Sequence, residues 1–365
     1  MKKLKLTGLF FLISFVAFAQ SDLTTENVIL ITFDGFRWEE LFTGADPELI
    51  ENKKYVEDIE SLKSTFWKDD ALERREILMP FFWNTIAKEG QIYGNRKYKN
   101  FVNIKNKQWF SYPGYNEILS GFSDDDRIHS NDKIENPNKT VLEFINNQEA
   151  YKGEVAAFGS WDVFPYIINE ERSGIPVNAG FESATGNDLT DTEKLLNKLQ
   201  AEVPSPWSSV RLDAFTHNYA LEYLQKHQPK MLFISYGETD DFAHEGKYDA
   251  YLYSAHRTDQ FIKELWNWTQ SQEQYRGKTT FIITTDHGRG AIDKWKDHGI
   301  EVKGAGSIWI AVMGPDSEAL GEVKSKGQLY QNQVANTVAT LLGLDYTNEK
   351  EVGKSISSAI KKMEE

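Results

Sequence analysis

The chain has 365 residues, of which 40% are hydrophobic and 26% charged, a composition typical of a globular protein with one large core or two modest ones. Its formal net charge of −14 argues against nucleic acid or an anionic membrane as the main partner. The sequence has no cysteine, which excludes disulfides and thiolate metal ligands.

The N-terminus has the pattern of an export signal. A basic start at residues 2–5 precedes an apolar run at residues 6–16, and Ala17-Phe18-Ala19 fits the small-x-small cleavage rule. We therefore expect residues 1–19 to be a cleaved signal peptide and residues 20–365 to form a single domain in a periplasmic or secreted protein. No other stretch of the sequence is apolar enough to suggest a membrane span.

Beyond this segment, apolar strands alternate with amphipathic helices. The patterns predict strands over residues 27–33, 154–160, 230–236, 279–285 and 307–312. They predict helices over residues 78–89, 110–121 (a loop and a short helix), 140–147, 187–200, 210–226, 250–269 and 330–342. The polar stretch 40–75 has the character of a surface insertion. This alternation predicts an α/β fold, with a central, largely parallel sheet and helices on both faces.

Potential metal ligands follow three of the predicted strands. Taken singly, Asp34 is more typical of a turn or cap, and Asp240 with His244 of a solvated ion pair. Asp286 and His287 are equally consistent with metal ligands and with a capping Asp beside a surface His. Ligands in α/β sheets bind at the carboxyl ends of the strands, however, and these residues share that location. Three Asp and three His would supply two metal positions with three protein ligands each and leave coordination positions open, as in catalytic zinc sites. They are Asp34, Asp240, His244, Asp286, His287 and His298.

Ser111 is the candidate nucleophile. It lies just before a predicted helix start, where Pro113 suits the first helical position and Gly121 the C-terminal cap. The free amides of a helix start would face a phosphoryl group attached to this serine. A bound metal makes serine a competent nucleophile near neutral pH. Without the metal ligands, a turn serine would be the simpler interpretation.

The ordered motifs resemble the alkaline phosphatase superfamily over residues 28–344. They are Asp-Gly-Phe at 34–36, Ser111 two residues before Pro113, Asp-x-x-x-His at 240–244, Asp-His-Gly at 286–288 and His-Gly at 298–299. The chain looks most like the nucleotide pyrophosphatase/phosphodiesterase branch. The resemblance implies a central sheet between helices and two zinc ions bridged by the substrate phosphate.

The same resemblance implies a role for each candidate residue. One zinc would be held by Asp240, His244 and His298. The other would be held by Asp34, Asp286 and His287, with Ser111 as the nucleophile beside it. Asn131 is the plausible counterpart of an asparagine that often contacts phosphate in the family.

Two departures from the branch concern the nucleophile loop. Its phosphodiesterases usually have Thr as the nucleophile and Asn after the following Pro, where this chain has Ser111 and Gly114. A sulfatase is disfavoured, because the arginine expected after the proline and the cysteine are both missing.

These features predict an exported two-zinc hydrolase that cleaves a small-molecule phosphate ester through a phosphoserine intermediate. Diesters or nucleotide pyrophosphates are favoured, because the chain lacks the Lys-x-Arg pair of monoesterases, and Arg127 and Arg172 are the only basic residues identified near the motifs. The aromatic residues at 161–166 would form a wall for the second substituent or simply pack in the core. His256 and Asp259 would support the site or lie on a solvated face.

Two other functions stay open. One is a phosphomonoesterase of the same superfamily. The other is a non-catalytic envelope protein that binds a divalent cation, although three histidines argue against Ca²⁺, which prefers oxygen ligands.

Overall fold

The computed structural model describes residues 23–361, so the predicted signal peptide lies outside the described residues. The strands are β1 (Asn27–Phe33), β2 (Gln91–Tyr93), β3 (Asn100–Asn103), β4 (Val155–Gly159), β5 (Val177–Ala179), β6 (Met231–Tyr236), β7 (Thr279–Thr285), β8 (Ser307–Ile308), β9 (Ile310–Met313), β10 (Gly321–Glu322) and β11 (Gly327–Tyr330). The helices are α1 (Trp38–Thr43), α2 (Ile59–Phe66), α3 (Ala71–Leu78), α4 (Ala87–Glu89), α5 (Ser111–Ser120), α6 (Val141–Asn146), α7 (Phe164–Ile168), α8 (Glu170–Ser173), α9 (Asp191–Glu202), α10 (Asp213–His227), α11 (Glu238–His244), α12 (Tyr248–Ser271) and α13 (Val334–Leu341).

A mostly parallel sheet forms the centre of the protein, as predicted. Its strand order is β10-β2-β9-β7-β1-β6-β4-β5, and β9 alone runs antiparallel to its neighbours. A small second sheet has the order β11-β3-β8. In the large sheet Phe33, at the end of β1, is paired with both Tyr236 and Thr285, the last residues of β6 and β7. The residues that follow these three strands therefore start from the same level at one edge of the sheet.

Helices cover both faces of this sheet. The strand β1 is buried throughout, with Ile29, Ile31 and Phe33 in one core cluster and Val28 and Leu30 in the other. The first cluster includes apolar residues of α10 and α12, and the second includes those of α5, α6 and α13. A strand with apolar side chains on both faces is what the non-alternating sequence predicts.

The prediction that residues 40–75 form a surface insertion is wrong, because this stretch contributes to the core. Leu41 and Phe42 of α1 are buried, as are Leu62 and Phe66 of α2. The last two residues are four apart and so lie on one face of a helix whose other residues are mostly polar. Because the other residues of this helix are mostly polar, the composition of the stretch does not reveal its apolar face.

The predicted helix over residues 78–89 is interrupted. Helix α3 ends at Leu78, and a π-helical turn at Phe82–Ile86 leads into α4. Asp259 of α12 is buried and accepts hydrogen bonds from the amides of Phe81 and Phe82, at 2.8 Å each. His256 Nδ1 lies 2.8 Å from the Leu78 carbonyl oxygen. Asp259 thus caps a helix start and lies neither at the metal ligands nor on a solvated face.

Two other boundaries differ from prediction. The strand predicted over residues 307–312 is divided into β8 and β9, which belong to different sheets. The division falls at Trp309, which is buried and donates from Nε1 to the Phe36 carbonyl at 3.0 Å. The helix predicted over 330–342 starts later, at Val334, because Tyr330 ends β11.

No helix within residues 23–361 has the length and apolarity of a membrane span.

Candidate metal centre

Three neighbouring strands deliver the candidate metal ligands to one edge of the sheet. Asp34 follows β1 directly, and Asp286 and His287 follow β7. Helix α11 begins two residues after β6 and carries Asp240 and His244. The chain bends at Asp286, directly after β7, and packs closely beyond His287, where a Cβ on Gly288 would lie 2.3 Å from the Ser307 carbonyl oxygen. Because the strand has already ended, the consecutive residues Asp286 and His287 can face the same site.

The first cluster consists of Asp34, Asp286 and His287, all buried. His287 Nε2 lies 3.3 Å from Asp34 Oδ1 and 3.5 Å from Asp286 Oδ2. Two carboxylate oxygens and one imidazole nitrogen therefore converge on one point. This is a donor set that zinc accepts.

The second cluster, as predicted from the sequence, is Asp240, His244 and His298, and its Asp240 and His298 also group with His287 as a set of potential metal ligands. His244 Nε2 lies 3.1 Å from Asp240 Oδ2 and 2.9 Å from His298 Nε2. His298 Nε2 lies 3.7 Å from Asp240 Oδ1. His287 lies between the clusters, because its Nε2 is 3.6 Å from Asp240 Oδ1 and its ring centroid is 4.0 Å from that of His298. The structure thus brings all six predicted ligands close together.

The unpaired atoms at this site are those that a metal would need. Asp34 Oδ1 and Asp286 Oδ2 are buried and have no hydrogen-bond partner within residues 23–361. Both face His287 Nε2, whose ring is oriented by a 2.9 Å contact between Nδ1 and the Gly288 carbonyl oxygen. An Nδ1–H donor at that carbonyl leaves Nε2 with its lone pair directed into the cluster. Buried polar atoms rarely stay unpaired, so the residues fit a bound divalent cation.

Burial also shifts the pKa values of these groups. Burial and repulsion from neighbouring carboxylates raise the pKa of Asp34 and Asp286 well above the ordinary value. Burial lowers the pKa of His287 to about 4 and that of His298 to about 2, which keeps both imidazoles neutral. Burial opposes ionisation of Asp240 too, but the Arg289 guanidinium beside it holds the pKa of Asp240 well below its usual range.

Side chains that the sequence reasoning missed hold the first cluster. Asp34 Oδ2 accepts from the Tyr115 hydroxyl at 3.0 Å, and that hydroxyl accepts from Ser235 Oγ at 2.9 Å. Asp286 Oδ1 accepts from the amide of Gly35 at 3.0 Å. Gln331 Nε2 donates to the Asp286 carbonyl at 2.6 Å. Each carboxylate is thereby held by one oxygen while its other oxygen faces His287.

Ser111 lies beside this cluster as the first residue of α5. Its Oγ is buried and 3.4 Å from His287 Nε2. The Asn131 side-chain oxygen accepts from the Tyr112 amide at 3.0 Å, so Asn131 lies next to the candidate nucleophile with its NH₂ group as the remaining donor. A Cβ on Gly114 would lie 2.5 Å from the Asp286 carbonyl oxygen. The family's asparagine therefore has no room at Gly114, because α5 packs directly on the end of β7.

The arginines near the site differ from the prediction. Arg127 pairs with Asp124 and Glu349, and Arg172 pairs with Glu143 at 2.7 Å. The interpretation of these two as the only basic residues near the motifs is wrong, because buried Arg289 contacts Asp240 directly. Its position two residues after His287 is a signal that could have identified it.

The aromatic stretch 161–166 is partly core and partly surface. Phe164 begins α7 and is buried against Tyr115, with ring centroids 4.7 Å apart. Trp161 and Tyr166 are partly exposed. The stretch is therefore not a single loop, and two of its aromatic rings are available at the surface.

A family model described as the metalloenzyme superfamily matches residues 208–346. This region contains Asp240, His244 and His298 of the second cluster and two of the three ligands of the first. Asp34 and Ser111 lie outside it. No curated protein matches the chain.

Several solved structures share the fold at low sequence identity. Wild-type alkaline phosphatase PafA has a TM-score of 0.57 and 12% identity, over 93% of this chain and 99% of that chain. A phosphonate monoester hydrolase from Silicibacter pomeroyi has a TM-score of 0.54 and 12% identity, over 91% of this chain and 76% of that chain. A putative sulfatase from Bacteroides thetaiotaomicron has a TM-score of 0.59 and 11% identity, over 93% of this chain and 76% of that chain.

These comparisons do not distinguish the nucleotide pyrophosphatase/phosphodiesterase branch from other branches, so that assignment stays a prediction. The chain shares the fold of alkaline phosphatase PafA and of the phosphonate monoester hydrolase, and the metalloenzyme family model matches the region that carries five of the six candidate ligands.

Proposed function

We propose that this protein is an exported hydrolase of phosphate esters that uses two zinc ions and Ser111 as its nucleophile. The observation that carries the proposal is the shared position of His287. Its Nε2 faces the ligand atoms of both clusters and lies 3.4 Å from Ser111 Oγ. A hydroxyl within reach of two cation positions is the arrangement that two-metal phosphoryl transfer requires.

The two clusters would hold one zinc each. Asp34, Asp286 and His287 would bind the ion beside Ser111, and Asp240, His244 and His298 the other. When bound, the two cations would polarise the phosphoryl oxygens, favour the deprotonated serine and stabilise the leaving oxygen. Neutral His287 and His298 suit this role, because a protonated imidazole cannot coordinate a metal.

The protein groups would carry the covalent steps. Ser111 Oγ attacks phosphorus as the bond to the leaving oxygen breaks, and the serine proton is lost to solvent or to the leaving group. Water then attacks the phosphoserine, breaks the bond between phosphorus and Oγ, and restores the serine. The N-terminal end of α5 would favour negative charge at the phosphoryl group, and the NH₂ group of Asn131, whose side-chain oxygen accepts from the Tyr112 amide, would donate to a phosphoryl oxygen.

We propose that diesters or nucleotide pyrophosphates are better substrates than monoesters. A monoester carries an additional negative charge that a basic side chain would have to offset. Arg127, Lys133 and Arg172 are paired with Asp124, Asp162 and Glu143, respectively. Arg289 is buried and paired with Asp240. The partly exposed Trp161 and Tyr166 offer surfaces on which a second aromatic or nucleobase substituent can stack.

A panel of chromogenic esters tests this proposal. Zinc-loaded protein would be assayed with 4-nitrophenyl phosphate, its methyl and thymidine diesters, and 4-nitrophenyl sulfate, which is included because a putative sulfatase shares the fold. We expect kcat/KM to be highest for the diesters. A monoester preference of about tenfold, equivalent to about 1.4 kcal/mol, would reverse the assignment within the superfamily. A preference for 4-nitrophenyl sulfate would mean that the substrates are sulfate esters and not phosphate esters.

Export rests on the sequence of the first nineteen residues alone. Expression of the full chain in a Gram-negative host, followed by cell fractionation and N-terminal mass analysis, tests it. We expect a periplasmic or secreted protein that begins at Gln20. An uncleaved chain retained in the cytoplasm would contradict export but leave the proposed chemistry intact.

A further inference from the structure

Arg289 is a buried arginine at the metal centre to which the proposed chemistry gives no role. It lies between two glycines that the chain needs for close packing. A Cβ on Gly288 would lie 2.3 Å from the Ser307 carbonyl oxygen, and one on Gly290 would lie 2.4 Å from that of Lys294. The backbone on both sides of Arg289 is therefore tightly confined.

The guanidinium of Arg289 joins two segments that are distant in sequence. Its Nε donates to the Trp295 carbonyl at 2.9 Å, and one terminal nitrogen donates to the Lys296 carbonyl. The other terminal nitrogen donates to Asp240 Oδ1. His298 follows Lys296 by two residues, so one side chain connects both ends of the second cluster.

The segment that Arg289 holds has its own anchor in the core. Trp295 is fully buried and packs against Tyr55, Tyr248 and Tyr251, with ring centroids 5.5, 5.2 and 5.5 Å away. Trp295 fixes the middle of the segment, and Arg289 fixes its carbonyl groups relative to Asp240. The placement of His298 depends on both.

Arg289 has the contacts of a support for the ligands and not of a substrate-binding residue. Its side chain has no exposed surface, and each of its three nitrogens already donates a hydrogen bond. A planar guanidinium makes these bonds in fixed directions, which a lysine ammonium cannot reproduce.

We propose that Arg289 is a positioning residue that sets the second metal position by holding Asp240 and the segment before His298 in one arrangement. This inference rests on the proposed function for the existence of two metal positions. The first cluster has separate supports, since Asp34 is held by Tyr115 and Asp286 by Gly35 and Gln331. Loss of the Arg289 contacts should therefore affect the two positions unequally.

The deciding variant is Arg289→Lys, which keeps the positive charge and loses the planar fork. Metal-free parent and variant would be titrated with zinc in a chelator-buffered solution, and bound zinc would be measured by mass spectrometry of the metal. We expect two zinc ions in the parent. In the variant we expect one position to lose about 10- to 100-fold in affinity while the other keeps its parental affinity, the range typical of lost supporting contacts at metal ligands.

A second variant reaches the same segment without changing any charge. In Gly290→Ala, the new methyl group would displace the Lys294 carbonyl oxygen and with it the segment before His298. We expect the same selective loss of one position. The control is Arg74→Lys, since Arg74 is buried and donates to the Thr43 and Lys68 carbonyls away from the ligands.

Each result has one meaning. Selective loss in Arg289→Lys, with both affinities intact in Arg74→Lys, supports the inference. If Arg289→Lys binds both ions as tightly as the parent, the inference is overturned and the proposed function survives. If Arg289→Lys does not fold, Gly290→Ala decides in the same way. A parent that binds fewer than two zinc ions overturns both.

Discussion

At the residue scale, each carboxylate of the first cluster has one oxygen in a hydrogen bond with the protein and one that faces the site. One oxygen of Asp34 accepts from the Tyr115 hydroxyl, and one oxygen of Asp286 accepts from the Gly35 amide. The other oxygen of each has no hydrogen-bond partner within residues 23–361 and faces His287. Supporting hydrogen bonds of this kind fix the orientation of a ligand before a metal binds.

Removal of the Tyr115 hydroxyl should therefore weaken the first metal position. Tyr115→Phe leaves the ring packed on Phe164 and removes the hydroxyl, with its hydrogen bonds to Asp34 and from Ser235. We expect zinc affinity at one position to fall by about tenfold or more, because hydrogen bonds to charged groups contribute about 1.5–3 kcal/mol. Zinc titration of the metal-free variant measures the loss.

The matched control for this variant is Tyr346→Phe. Tyr346 is buried, and its hydroxyl donates to the Ser120 carbonyl at 3.0 Å, away from the ligands. We expect Tyr346→Phe to lower the free energy of unfolding and to leave the zinc affinity at its parental value. Equal affinities in the two variants would show that Tyr115 does not support a metal ligand.

Ser111→Ala should remove most turnover and keep both metal positions. The serine hydroxyl is the proposed attacking group, and the candidate ligands Asp34, Asp286 and His287 beside it do not depend on it. We expect kcat for the best ester to fall on the order of 10³-fold or more, as when a nucleophile is removed in other hydrolases. Bound zinc should stay at the parental level. Near-parental turnover in the zinc-loaded variant would mean that another group or water attacks phosphorus.

Sequence reasoning was most informative for residues whose position follows from a strand end. Asp34, Asp286 and His287 directly follow strands whose apolar sequences identify them. Tyr115 and Gln331 could not be found in this way, because they reach the site from other elements through packing that no local pattern records. Those two side chains look like ordinary helix residues in the sequence.

At the element scale, the contact between α5 and β7 places the nucleophile. Gly114 lies three residues after Ser111, and a Cβ there would lie 2.5 Å from the Asp286 carbonyl oxygen. The helix can approach the metal ligands only because this residue has no side chain. A departure from the family pattern at Gly114 thus has a steric reason.

Gly114→Ala should push α5 away from the end of β7. We expect unfolding free energy to fall by about 1–3 kcal/mol, the usual cost of overpacking, and kcat to fall because Ser111 moves with the helix. The control is Gly327→Ala, where the new methyl would meet its nearest atom, Asn100 Nδ2, at an ordinary 3.6 Å. Denaturant unfolding and the ester assay measure both effects. If Gly114→Ala behaves like the control, close helix packing does not place Ser111.

The central strands could be predicted because each is a short run rich in β-branched and apolar residues, as the 27–33 and 279–285 runs are. The elements of residues 40–75 could not, since α2 buries Leu62 and Phe66 in the core, with Ile59 partly buried against it, among mostly polar neighbours. Four short strands were missed for a different reason. The two- to four-residue strands β2, β3, β10 and β11 are too short to show a periodic pattern.

At the scale of the whole molecule, the strand order accounts for the site. β1 lies between β7 and β6, so the chain segments after all three strands meet although they are up to 252 residues apart, from Asp34 to Asp286. The protein carries a net charge of −14, and buried Asp34 and Asp286 add local repulsion at this edge. A bound divalent cation would offset that repulsion.

Zinc should therefore stabilise the whole fold. An ion that binds only the folded state adds about 2.7 kcal/mol when its free concentration is about a hundredfold above the dissociation constant. We expect the melting temperature of metal-free protein to rise by several degrees with zinc and by less with calcium. Thermal scans monitored by circular dichroism measure both. Equal stabilisation by calcium would favour the non-catalytic cation-binding protein.

Metal dependence of ester hydrolysis is the most direct test of the central claim. The measurement is kcat/KM for methyl 4-nitrophenyl phosphate with one protein sample before metal removal, after exhaustive chelation, and after zinc is restored. We predict that chelation abolishes turnover and that zinc restores it, with two ions bound per chain, because the three-histidine and three-aspartate ligand set suits zinc. Undiminished turnover by a sample verified to contain no metal would contradict the account.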